Sequence, residues 1–227
     1  MGFKLNKIIL ALALLFIMGC VQAKDFSYGL KQLNEINSRY NTTIDTYPKN
    51  MQRIDAMLNE FRELKNQQTG TAQQPLINII NYRIINLEAE KLYIRGQEYG
   101  PAGSTKDGFG CKSRPLITES VSFRNMSALK GFEAVAVLRE FILQYPEEAK
   151  AVSLSEKNAL FLNATFYQIY LDAGQDSRII NYFCPLNVTL DLYKEEFRKT
   201  TNMTKDFIDN IDYEHAAPIW KKIRGIS

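Results

Sequence analysis

The chain has 227 residues, 45% of them hydrophobic and 23% charged, which is enough apolar material for a real core and excludes a disordered stalk. A net charge of +3 is too weak a field to attract nucleic acid, and it falls further if a basic leader is removed. With 3 cysteines, 1 histidine and no CxxC, CxxCH or His-Cys spacing, neither a zinc ribbon nor covalent haem is supported, and no metal or cofactor is predicted.

The N-terminus reads as an export signal. Lys4 and Lys7 precede the apolar run that begins at Ile8 and ends at Val21. That length suits a signal-peptide core and falls short of the ~20 residues a spanning helix needs. Ile17-Met18-Gly19-Cys20 resembles the lipobox of prokaryotic lipoprotein precursors, with Met18 where that family usually has a small residue. The resemblance implies that Cys20 becomes the lipidated N-terminus. Val21-Gln22-Ala23 has the small-x-small form cut by ordinary signal peptidase, so cleavage after Ala23 and secretion is the alternative. Residues 1–23 are thus a signal peptide and 24–227 a single extracytoplasmic domain. If Cys20 carries lipid, Cys111 and Cys184 are left to pair, and a disulfide closing so long a loop would restrict the unfolded chain by about 4 kcal/mol. Two separate buried thiols are the other reading.

The dominant period along the body is helical. Phe26, Leu30, Leu33 and Ile36 fall on one stripe, as do Met51, Ile54, Leu58 and Phe61, and then Ile77, Ile80, Ile84 and Leu87. Tyr47-Pro48 and residues 67–75 separate them. A helical hairpin or three-helix layer over 24–97 is predicted.

Residues 96–115 hold a large share of the chain's 12 glycines and read as a long loop joining that layer to a second helical region, 116–227. With Lys106, Lys112 and Arg114, its freed backbone N–H groups are a candidate anion nest; a plain connecting turn stapled through Cys111 is the competing reading.

Beyond the loop, a broad apolar face from Thr118 ends at Pro146. Ser153-Leu-Ser-Glu156 reads as a capping box for an almost wholly apolar helix that Asp172-Ala-Gly174 should stop. Shorter helices are expected over 177–183, 188–200 and 204–211, with a last one around Trp220. No alternating run is long enough to claim a strand. The fold class is therefore all-α, ending in a C-terminal helical bundle.

Candidates for chemistry are sparse. His215 beside Glu214 reads as a surface or helix-end residue, and Glu147-Glu148 and Glu195-Glu196 as solvated faces. Phe161, Phe166, Tyr167, Tyr170, Tyr182 and Phe183 fit core packing better than a ligand pocket. Acceptor sequons stand at Asn41, Asn125, Asn163, Asn187 and Asn202, more than composition gives by chance, which suits a surface-glycosylated exported chain. A burial reading of Asn163 conflicts with a glycan there.

These residues predict a cell-envelope helical lipoprotein at the outer face of the cytoplasmic membrane. It acts as a binding or structural module, with an envelope protein or glycan as partner and no nucleic acid. The weight of the sequence is against catalysis. The alternatives are an enzyme processing envelope glycans or peptides, and an extracytoplasmic substrate-binding component.

Overall fold

The computed structural model describes residues 26–183 except 45, 49, 69–72 and 105–111, with side chains through Tyr170 and that of Ala173. Six helices and no strand occur among the described residues: α1 (Phe26–Arg39), α2 (Met51–Asn66), α3 (Gln74–Gly103), α4 (Arg114–Gln144), α5 (Pro146–Ala151) and α6 (Glu156–Phe183). The all-α expectation holds, and the three N-terminal helices cover the stripes that predicted them.

Local chemistry sets the helix ends. The Asn50 side chain accepts from the Arg53 amide at 2.9 Å to cap α2. Pro75, Pro115 and Pro146 each fall in a first turn, where the missing N–H has no helical partner to lose.

Two helix ends share a less common arrangement. At the end of α1, Thr42 N–H donates to the Asn37 carbonyl (2.9 Å) and Asn41 N–H to that of Ser38 (3.0 Å). At the end of α5, Leu154 N–H donates to Ala149 (2.9 Å) and Ser153 N–H to Lys150 (3.0 Å). Both are Schellman motifs, and the residue that must turn left-handed is not glycine: Asn41 has φ 53° and Ser153 φ 59°.

One core runs through all six helices. Leu33 of α1, Phe61 of α2, Ile79 of α3, Phe141 of α4, Ala149 of α5 and Phe166 of α6 belong to the same buried cluster. Burial of each larger side chain contributes roughly 1.5–3 kcal/mol.

The most extensive contact is between α3 and α4, followed by α4 with α6. α3 and α4 run antiparallel at close range, because the residues that meet are small and recur every seven positions. Gly103 accepts from the amides of Lys112 (2.8 Å) and Ser113 (2.9 Å), Gly96 accepts from Ser120 Oγ (2.6 Å), and Ala89 from Ser127 Oγ (2.8 Å).

That seam corrects the loop expected over 96–115. Gly96, Gly100 and Pro101 lie inside α3, and Arg114 and Pro115 open α4, so only residues 104–113 connect the two helices. A Cβ at Gly96 would sit 3.1 Å from the Ser120 carbonyl, and one at Gly103 would be 2.9 Å from the Ile117 amide. These glycines answer to a neighbouring helix, where the composition suggested a turn. The proposed boundary between 24–97 and 116–227 disappears with the loop, since α3 crosses it and the core is continuous.

Two further expectations change. The capping box is displaced: Ser155 N–H donates to Asn158 Oδ1 at 3.0 Å and Ser155 Oγ to the same atom at 2.7 Å, while Ser153 serves the end of α5. Glu156 instead accepts a hydrogen bond from Arg139 Nε at 2.8 Å and forms an ion pair with its Nη2 at 2.7 Å, tying α6 to α4. Gly174 does not stop α6, which continues to Phe183; an interior glycine costs only about 1 kcal/mol relative to alanine. The helices expected beyond Cys184 lie outside the described residues, as do all three cysteines.

Candidate functional site

The C-terminal half of α1 carries a polar row that the core does not absorb. Asn34, Asn37 and Asn41 follow Leu30 at intervals of three or four and fall on one face. With Thr42, Thr43 and Ile44 of the next turn, and Ala151, Val152 and Ser153 at the end of α5, they line a cavity of about 470 Å³. That volume lies in the range of small-molecule sites. Both left-handed residues, Asn41 and Ser153, border it.

Among the described residues that line it, none is ionisable. The wall offers carboxamides and hydroxyls, which both donate and accept, over patches of Leu30, Ile44 and Val152. Asn37 is the unusual member. It is 3% exposed, and neither its amide nitrogen nor its amide oxygen meets a hydrogen-bond partner among the described residues. A buried amide left in that state costs about 1–3 kcal/mol. The Asn37 main chain, by contrast, is fully used: its carbonyl accepts from Tyr40 N, Thr42 N and Thr42 Oγ1.

The turn that closes the cavity is held from beneath by Arg83 of α3. This arginine is completely buried. Nη1 donates to the Ile44 carbonyl at 3.1 Å and Nη2 to the Thr46 carbonyl, while the guanidinium lies 5.8 Å from the centre of the Tyr47 ring. Tyr47 OH donates to Asn86 Oδ1 at 2.8 Å, and Asn86 Nδ2 contacts Tyr82 OH at 3.4 Å. A charge taken out of water therefore has its carbonyl partners at fixed positions, and the main chain of 44–46 is fixed in return.

On the other side of α1, Glu60 of α2 accepts from Tyr40 OH at 2.6 Å and from Arg39 Nη2. Burial, together with the hydrogen bond to Glu60, pushes the Tyr40 phenol up to about 12. Burial also acts to raise Glu60, but the hydrogen bonds from Arg39 and Tyr40 outweigh it and leave that carboxyl below its ordinary value. The bond to Glu60 holds the Arg39 guanidinium above its own. Arg83 and Glu60 together fix the turn and the helix end that frame the cavity.

A shallower depression of about 430 Å³ continues along α1, lined by Ser27, Leu30, Lys31, Asn34, Glu35 and Ser38. Leu30, Asn34 and Ser38 belong to both, so the two form one groove.

Of the candidate site residues read from the sequence, Asn41 borders the cavity and the other described ones lie elsewhere. Lys112 and Arg114 are exposed at the start of α4, and the amides of 112 and 113 that would build the anion nest donate to Gly103 instead. Lys106 is outside the described residues, as are Cys20, Cys111, Cys184, His215, Glu195-Glu196 and Trp220. Glu147 and Glu148 occupy the first turn of α5, where their charge complements the helix dipole.

Phe161, Phe166 and Tyr170 are core residues, as their spacing suggested. Phe166 packs against Gly131 so closely that a Cβ there would overlap its ring. Of the sequons, Asn41 is exposed, whereas Asn125 and Asn163 are buried at 7% and 0%; a glycan on either would have to displace a helix. Asn187 and Asn202 lie outside the described residues.

In the sequence the row 34, 37, 41 is overshadowed by the apolar stripe of α1. A signal was present: Asn37 continues the sequence Phe26, Leu30, Leu33 at a position where a hydrophobic residue is due.

Among the described residues no group of three or more His, Cys, Asp or Glu side chains could hold a metal, and no helix is long and apolar enough to cross a membrane. Comparison with family models, with curated proteins and with solved structures gave no match to this chain.

Proposed function

We propose that this chain is an exported, lipid-tethered helical module that binds a small neutral ligand at the cell envelope. The observation that carries the binding half is the cavity of about 470 Å³ at the end of α1, whose described lining offers exposed carboxamides and hydroxyls at Asn34, Ser38, Asn41 and Ser153 and no ionisable side chain. The envelope half rests on residues 4–23, with their basic start, short apolar run and Cys20.

In this reading Cys20 is the point of attachment and Cys111 pairs with Cys184. A glycan partner of the envelope fits a cavity of hydroxyls and amides better than an acidic or basic one.

Intact mass of the membrane-extracted protein, before and after reduction, tests the tether and the disulfide together. A lipid increment on Cys20, lost in Cys20→Ser together with membrane retention, is the expected result. A free N-terminal Lys24 without added lipid would overturn the anchor, and alkylation of both Cys111 and Cys184 in the unreduced protein would overturn the disulfide.

A further inference from the structure

We infer that the groove along α1 is a two-ring site for a linear, neutral oligosaccharide, with the end ring in the cavity and the next ring over Lys31 and Glu35. This rests on the reading of the cavity as a binding site and goes further by assigning the depression beside it.

Shape sets the length of the ligand. The cavity of about 470 Å³ and the depression of about 430 Å³ share Leu30, Asn34 and Ser38, so a bound chain passes from one to the other along the surface of α1. The cavity ends at Thr43 and Ile44, in the turn whose main chain Arg83 holds. The depression runs on to Ser27, in the first turn of α1. Each space alone has the size of a small-molecule site, so a ligand that fills both is longer than one ring and has its end at the turn.

Charge selects the chemistry of the second ring. Lys31 and Glu35 stand one turn apart on α1, with Cβ atoms about 6 Å from each other. Both are exposed, and among the described residues neither makes a hydrogen bond or an ion pair. Arg39, a further turn along, is taken by Glu60. An anion drawn to Lys31 meets Glu35 beside it, and a cation drawn to Glu35 meets Lys31, so a ligand of either sign gains little. The ammonium only donates and the carboxylate only accepts. Adjacent hydroxyls on a sugar ring answer both: one accepts from Lys31 while the other donates to Glu35, and hydrogen bonds to charged groups are the stronger kind.

The cavity asks for the same class. Asn34, Asn41 and Ser153 are exposed there and offer donors and acceptors in several directions, which the hydroxyls around a sugar ring can use together. Leu30 and Val152 are half-buried in the same wall and give apolar surface for the C–H face of the ring.

The test is saturation-transfer NMR titration of the full chain in a sugar-free detergent. The probes are glucose with cellobiose, N-acetylglucosamine with N,N′-diacetylchitobiose, and diglycine. In at least one pair the disaccharide should bind at least tenfold more tightly than its monosaccharide. Lys31→Met and Glu35→Gln, both at exposed positions, should each weaken that disaccharide several-fold and leave the monosaccharide unchanged. Asn41→Gly keeps the left-handed turn and removes the carboxamide, so it should weaken both.

Disaccharides that bind no more tightly than their monosaccharides, or that Lys31→Met and Glu35→Gln leave untouched, would overturn the second ring and leave the cavity as the site. Diglycine bound in preference to the sugars would overturn the oligosaccharide and leave a groove for zwitterions. No saturation of any probe would overturn the oligosaccharide together with the binding reading on which it rests.

Discussion

Ser120 reaches across from α4 and donates its hydroxyl to the carbonyl of Gly96 in α3, at 2.6 Å. The bond requires the two backbones to lie close enough for a serine side chain to span the gap. It is repeated seven residues away by Ser127 and Ala89.

Gly96→Ala should therefore destabilise the protein by about 1–3 kcal/mol, although the same change on an exposed helix face stabilises. The added methyl meets the Ser120 carbonyl and the Arg124 main chain, neither of which can move without shifting α4. Urea unfolding of the two proteins checks the sign. A more stable Gly96→Ala would mean that the helices stand further apart.

Ser153→Gly should stabilise by about 1 kcal/mol, since Ser153 holds φ 59° at the end of α5 and glycine adopts that conformation without a Cβ clash. The midpoint of thermal unfolding reports it. Because Ser153 lines the cavity, ligand affinity should fall as stability rises.

Arg83→Met should cost about 3 kcal/mol, the loss of two charge-assisted bonds to carbonyls that then have no donor. Hydrogen exchange should quicken at 42–47 before it does in α4. Uniform protection across that segment would show that the turn holds itself.

The Tyr40–Glu60 pair predicts stability limits at both ends of the pH scale. Glu60 is held below its ordinary value in the folded chain, so its contribution is present above the unfolded carboxyl range and is lost as acid protonates the folded group. Tyr40 is raised to about 12, so its contribution is full below about 10, the ordinary phenol value, and is lost between there and about 12. Glu60→Gln should flatten the acid limb, as read from unfolding free energy against pH.

The helices were legible where one apolar stripe faced one core. Leu33, Ile36, Ile54 and Phe61 lie where their periodicity put them. Legibility failed where a residue's reason lay on another element. Gly96 and Gly103 look like turn residues until α4 is set against them, and Ser153 looks like a helix start until its amide is found bonded back to Lys150. The cavity was the least legible, because Asn34, Asn37 and Asn41 are brought to Ala151, Val152 and Ser153 only by the tertiary fold.

Arg83 grips carbonyl oxygens, and every residue has one. Its grip on Ile44 and Thr46 is therefore indifferent to what those two positions carry beyond the main chain. Thr42 differs, because its hydroxyl donates to the Asn37 carbonyl and ties the wall by a side chain. Variants randomised at 43 alone, where the side chain is exposed, should keep the parent fold while differing in what the cavity holds.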